Sequence, residues 1–472
     1  MVVRTYPYAF HIALDGNGLN GLEGRAGVCL FHYDPATGDH AYKITYFGGA
    51  SGGHAPNVDP TRRIGFLGNT GQHLLFYNLA TLEEADRVST LRFEVPDTTI
   101  KGSTHLVWLD DTQFVTSIGE HLWKFDVNRL TKAEQVAPHQ LKVPHAMKAT
   151  ASGRYIVYGG MDHPSRGEAR EVGILDTVTG NVRRVELPTT CWHLVCHPVL
   201  DVFYAVSFRV HPGDGRDWQH WGMAWLRQYA YEIDAEDGRI LRHWAADRDV
   251  PAHINSDITI SDSELIFCTG GSHTVILVDL ATLSHHRIID EHPGVLDGLS
   301  RSRESAATVI DTFARANVFS NSNLYADSLR ISRGALLDGI YASQLSADQT
   351  LLFTANRGQN HITIYDYPSL ELRHRIVMPE LQELDPRVGA LSDPRLGFHH
   401  SHLVSPITPS TPITPSTQST QSTQSTKSTR ITGGDSRWPT SLSTPTSTAV
   451  RLAPSPEVSW PTLRRSWLVW TT

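Results

Sequence analysis

Cysteine is scarce in this chain, with four residues (Cys29, Cys191, Cys196 and Cys268) in 472. Four thiols cannot staple a chain of this length, so packing must hold the fold, and a reducing compartment is expected. Long apolar runs are missing as well. No stretch approaches the about 20 apolar residues of a membrane helix, which argues against a helical span. Basic clusters are absent and the formal net charge is -8. The electrostatic footprint of a nucleic-acid-binding protein is therefore lacking. The opening segment MVVRTYPYAFHIALDG has neither the charged start nor the continuous apolar stretch of a signal peptide. The expectation is a soluble cytoplasmic protein that engages neither membrane nor nucleic acid.

What the sequence does have is repetition. The stretches beginning at His54, His145 and His193 each read as a short strand, a turn, an apolar strand, an alternating strand ending in Asp or Asn, and a last strand. The third strands are HLLFYNLATL, VGILDTVTG, YAYEIDAEDG, VILVDLATL and ITIYDYPSL, each closing on a turn rich in Asp, Thr and Gly. Four antiparallel strands recurring roughly every 40 to 60 residues are the mark of a β-propeller blade.

Six blades begin near His54, His105, His145, His193, His253 and Tyr341. Two segments are left over. Residues 7–48 match strands two to four of a blade, and 397–405 (GFHHSHLVS) resembles the missing first strand. Joined, they make a seventh blade that closes the ring between the two ends of the repeat region. The predicted fold is therefore all-β, a seven-bladed propeller of four-stranded blades over residues 1–405, with an insertion at 291–337. Residues 406–472 are dominated by Ser, Thr and Pro, cannot bury a core, and are expected to be a disordered tail.

The first strand of a propeller blade runs along the central channel. Counting to the first core residue of strand two, His54 to Ile64, His105 to Val115, His145 to Tyr155, His193 to Phe203 and Tyr341 to Leu351 are each ten residues apart. In the fifth blade Asn255 holds that place and His253 lies two residues earlier, on the same strand face. In the closing blade His402-Leu403-Val404 echoes His105-Leu106-Val107, and His400 lies two residues earlier. Duplication alone repeats turn glycines and apolar positions. It explains histidine poorly, because an imidazole in a narrow channel needs hydrogen-bond partners and gains little from packing.

Two uses fit such a ring. Neutral imidazole is the commonest protein ligand for Zn, Cu, Fe and Ni. Metal-free clustered histidines can instead serve acid–base chemistry, with mutual repulsion depressing their pKa values. The metal reading takes His54, His105, His145, His193, His253, His400 and His402 as ligands. It takes a divalent transition metal (Fe, Cu, Mn or Zn) as cofactor, and Tyr341 and His253 as candidate catalytic groups. Weaker candidates are the Cys191 to Cys196 stretch, the aromatic loop from Trp218 to Trp225, the turn residues His197, His211, His285 and His286, and the glycines of 48–53.

The phrases DPTRRIGFLGN and HTVILVDLATL make residues 7–405 similar to the YVTN-type and nitrous-oxide-reductase-like seven-bladed propellers. That resemblance implies the fold. In nitrous oxide reductase it also implies a histidine-ligated copper cluster at the axis; the second copper domain of that enzyme has no counterpart in residues 406–472. Carotenoid oxygenases and oligogalacturonate lyases are similar in kind, holding iron or manganese by propeller histidines. The expected function is a metal-dependent enzyme, a lyase or isomerase or an oxygen-activating oxidoreductase, acting on a small organic substrate in the channel. The alternative is a non-catalytic propeller scaffold that binds a protein partner through its faces.

Overall fold

The computed structural model describes residues 6–15, 25–50, 52–93, 101–161, 169–207, 229–246, 255–270, 273–291, 339–384 and 395–403. Within them lie seven separate four-stranded antiparallel sheets. The first six blades have as their innermost strands Pro56–Val58, Leu106–Trp108, Val143–Ala149, His193–Cys196, Asn255–Ile260 and Ile340–Leu345. In the seventh, Phe398–Leu403 pairs with Tyr8–Leu14, followed outward by Arg25–Tyr33 and His40–Gly48. The closure expected from the two leftover segments is the observed one.

Each blade buries both faces of its middle strands and leaves the outermost strand to solvent. The third strand Thr274–Asp279 is buried until its last residue, whereas the outermost Leu372–Val377 is almost wholly exposed. Seven hydrophobic clusters hold the ring, one in each gap between neighbouring blades. The cluster of Phe10, Phe31 and Phe353 joins blades six and seven, and that of Ala9, Leu30, Leu75 and Tyr77 joins blades seven and one. With every gap filled, the ring has no open seam.

The turn after the third strand shows why the repeat was visible. The carboxylate of Asp176 accepts the backbone N–H groups of Val178 and Thr179, and Asn78 does the same for Ala80 and Thr81. Asp34, Asp126, Asp234 and Asp279 cap their turns in the same way.

The predicted insertion begins with a residue locked into blade six. The buried carboxylate of Glu291 accepts from His361 Nε2 (2.9 Å), Tyr365 Oη (2.7 Å), Thr354 Oγ1 (2.9 Å) and Asn356 Nδ2 (3.1 Å). Burial pushes its pKa up, but these donors outweigh that and hold it at about 2. The rest of 291–337, the loop from Trp218 to Trp225, His211, His253 and the 406–472 tail lie outside the described residues. Among the described residues no helix is long and apolar enough to cross a membrane.

Candidate functional site

Strand pairing shows how the inner strands aim their side chains. In blade four His193 lies opposite Val206 and Leu194 opposite Ala205. In blade three Met147 lies opposite Tyr158 and Pro144 opposite Gly160, so two residues, His145 and Ala146, share the place opposite Gly159. This is a β-bulge, one extra residue that breaks the alternation of faces. Blade six bulges at Tyr341, between the pairs Ile340–Asn356 and Ala342–Ala355. The closing strand bulges at His399 and His400, between the pairs Phe398–Leu14 and Ser401–Ile12.

Two tiers of inward side chains result. One holds His105 and His193. The other, one residue earlier along the strand, holds His54, His145 and Tyr341, and the closing strand adds His399 and His400 at its bulge. Where the earlier residue is an aromatic ring in blades one, three and six, the next is alanine (Ala55, Ala146 and Ala342), leaving room beside it. The chain must also pass close to itself here. A Cβ on Gly159 would lie 2.2 Å from the Trp192 carbonyl oxygen, and one on Gly68 would lie 1.9 Å from that of Thr104. Glycine lets successive inner strands approach around the axis.

Six imidazoles meet. Ring centroids of His54 lie 5.6, 4.6, 4.2 and 5.1 Å from those of His105, His145, His399 and His400. His193 lies 4.9 Å from His145 and 4.6 Å from His400. Tyr341 lies 4.5 Å from His399. Burial, then the neighbouring imidazoles, push the pKa values of His54, His105, His193 and His399 well below the ordinary value. Burial first and His400 second bring that of His145 to about 3. These rings are therefore neutral at pH 7, and each neutral ring carries one bare nitrogen.

Backbone carbonyls fix which nitrogen is bare. His145 Nδ1 donates to the Trp192 carbonyl (3.3 Å) and His399 Nδ1 to the His54 carbonyl (3.0 Å), which leaves both Nε2 atoms without hydrogen. His54 Nε2 is within hydrogen-bond reach of His145 Nε2 and, with the latter bare, would be the donor. His400 Nε2 is buried and has no partner. The ligand nitrogens of His54, His399 and His400 all lie within 4.8 Å of one another. Two nitrogens bound at about 2 Å to one ion are at most about 4 Å apart, so sub-ångström shifts suffice to close the set.

Of the predicted ligands, the structure brings together His54, His105, His145, His193 and His400, with Tyr341 beside them. His402 is not among them. His402 does keep the register of His105 and His193, lying opposite His11 on Tyr8–Leu14 as His193 lies opposite Val206, but it is the bulged His399 and His400 that reach the other rings. Asn255, by contrast, pairs with Thr269, one step beyond the ring position, and Asp257 takes that place in blade five. Sequence counting missed His399 and Asp257. A usable signal was present: His54-Ala55, His145-Ala146 and Tyr341-Ala342 mark one tier, and His105-Leu106 and His193-Leu194 the other.

Burial keeps the Tyr341 phenol protonated by raising its pKa, against the opposing charge of Arg357. Arg357 is itself buried, paired with Asp15 at 2.7 Å, and lies 5.6 Å from the Tyr341 ring centroid. Two of the weaker candidates, the cysteine pair and His197, resolve as structure. Cys191 and Cys196 both pack into the core between blades three and four, where burial pushes each thiol up to about 12. His197 Nδ1 accepts the backbone N–H groups of Val199 and Leu200 in a turn.

No known family profile and no curated protein matches the chain. Among solved structures the chain is similar to dihydro-heme d1 dehydrogenase NirN in complex with DHE. That match has 11% identity and a TM-score of 0.46, covering 79% of this chain and 74% of that one. It is also similar to Kuenenia stuttgartiensis hydrazine synthase, with 11% identity and a TM-score of 0.47, covering 70% of this chain and 87% of that one. Chemistry has to be argued from the chain's own site.

Proposed function

We propose that the axial imidazoles bind a divalent transition metal, Fe, Cu, Mn or Zn, and that the protein is an enzyme acting on a small organic substrate in the channel. One observation carries this reading: six imidazoles converge, four of them buried, and those of His145, His399 and His400 turn a buried Nε2 that the backbone does not occupy toward the others. Bare, desolvated nitrogens crowded together are costly without a cation to share. His54, His399 and His400 form the tightest set, with His105, His145 and His193 completing the shell. All-nitrogen ligation without cysteine suits these metals better than soft thiolate-bound clusters.

A bound metal would supply Lewis acidity for a lyase or isomerase reaction, or activate oxygen for an oxidation. The chain's own residues would do the rest. The neutral imidazoles would hold the site with no net charge of their own, and the protonated Tyr341 phenol would offer a proton at the ring. Elemental analysis of protein purified without a histidine tag tests the reading. Stoichiometric Fe, Cu, Mn or Zn is the expected result. Protein that holds no metal and has no affinity for any of the four added as salts overturns it, and the ring must then be acid–base machinery or the filler of a scaffold.

A further inference from the structure

Asp257 stands on the innermost strand of blade five, where blades two and four place His105 and His193, and it reaches the bulged His400 of the closing strand. It lies opposite Cys268 just as His193 lies opposite Val206. The carboxylate is buried and its bonds are divided between its two oxygens. Oδ2 accepts from the backbone N–H (3.1 Å) and hydroxyl (2.8 Å) of Ser401 and from the backbone N–H of Ser343 (3.3 Å). Oδ1 accepts the N–H of Ile258 (3.0 Å) and faces His400 Nδ1 at 3.6 Å, a charge contact slightly longer than a hydrogen bond. On the far side of the same ring, His400 Nε2 is buried and unpartnered.

We propose that Asp257 is a positioning residue that keeps the proton of His400 on Nδ1 and so presents a bare Nε2 to the axis. The proposal rests on the reading of the ring as a metal site. The other rings with an assigned tautomer use neutral backbone acceptors, Trp192 for His145 and His54 for His399. His400 alone among these three faces a carboxylate. An anion beside Nδ1 favours the Nδ1–H form and makes Nε2 a better ligand. Three donors from blades six and seven pin Oδ2, so the carboxylate cannot swing away, and the ring orientation becomes a property of three blades at once.

The test uses the full-length, metal-free protein labelled with ¹⁵N-histidine, the His400 signals being identified by their loss in His400→Gln. Wild-type protein should show His400 as the Nδ1–H tautomer. Asp257→Asn replaces the anion with an amide that can donate to Nδ1, so the Nε2–H form should appear. Co²⁺ affinity, read by competition with a chelator, should fall by about 10- to 100-fold. Ser343→Ala keeps the backbone N–H that binds the carboxylate, and should leave the tautomer unchanged. A purely structural role would lower the melting temperature of Asp257→Asn without moving the tautomer. Finding His400 as Nε2–H in wild-type protein overturns the proposal, as does an Asp257→Asn protein with unchanged tautomer and Co²⁺ affinity. Wild-type protein that binds neither Co²⁺ nor Fe, Cu, Mn or Zn would remove the metal reading, while the tautomer measurement still decides the role of Asp257. If Asp257→Asn does not fold, the wild-type tautomer alone decides.

Discussion

An imidazole buried among imidazoles is held neutral by two effects that add, loss of water and the repulsion of a second positive charge. The sign of the pH dependence comes directly from this. His145 and His11 have pKa values of about 3, and His32 of about 4, burial being the main cause in each, against about 6.5 in an unfolded chain. Between those values the unfolded chain holds more protons, so stability is full above about pH 6.5 and is lost as pH falls below it. Each such residue contributes up to about 1.4 kcal/mol per pH unit. The melting temperature of the metal-free protein should drop steeply from pH 7 to pH 5; a flat profile by differential scanning calorimetry would contradict the assignment of neutral rings. Ligand identity is tested one residue at a time. His145→Ala and His193→Ala should each weaken metal binding by more than the about 10- to 100-fold typical of outer-shell changes. His197→Ala, which touches only a turn, should leave metal content as it was.

The bulged inner strand is the element that builds the site, and it also limits what a sequence can disclose. Blade count, closure and the turn carboxylates were legible because each obeys a rule that repeats: period-two alternation, Asx turns and a missing strand. Five of the six converging histidines were legible for the same reason. His399 was not, because alternation allows only one of two consecutive residues to face the axis, and a bulge admits both. The His-Leu-Val phrase of His402 marked its register correctly, but the bulge carries His399 and His400 to the other rings instead. Asp257 was missed because a carboxylate in one blade does not repeat. The tight passage of strands past the bulge gives an element-scale prediction. Gly159→Ala drives a Cβ into the Trp192 carbonyl, the acceptor for His145 Nδ1. Overpacking of this kind costs about 1–3 kcal/mol, and metal affinity should fall with it. Gly48→Ala, with open space around the added carbon, should stay within about 0.5 kcal/mol of wild type by urea denaturation.

At the scale of the molecule, one strand does two jobs. Phe398–Leu403 pairs with Tyr8–Leu14 to complete the seventh blade, and it carries His399 and His400 into the axis. Fold closure and site assembly are thus one event, and the two should fail together. Two truncations distinguish the role of this strand from that of the C-terminal segment. A chain ending at Ser405 loses only the Ser-, Thr- and Pro-rich segment, whose composition cannot form a core, and should keep both its melting temperature and its metal. A chain ending at Leu396 loses the closing strand as well. That cut removes two imidazoles of the cluster and leaves Tyr8–Leu14 as an unpaired edge beside the cluster of Phe10, Ile12 and Phe353. Exposed edges of that kind aggregate. The shorter chain should therefore bind no metal, melt many degrees lower and self-associate in size-exclusion chromatography. If it melted like the longer one, the ring would not depend on this strand for closure, and the seventh blade would have to be held by its flanking clusters alone.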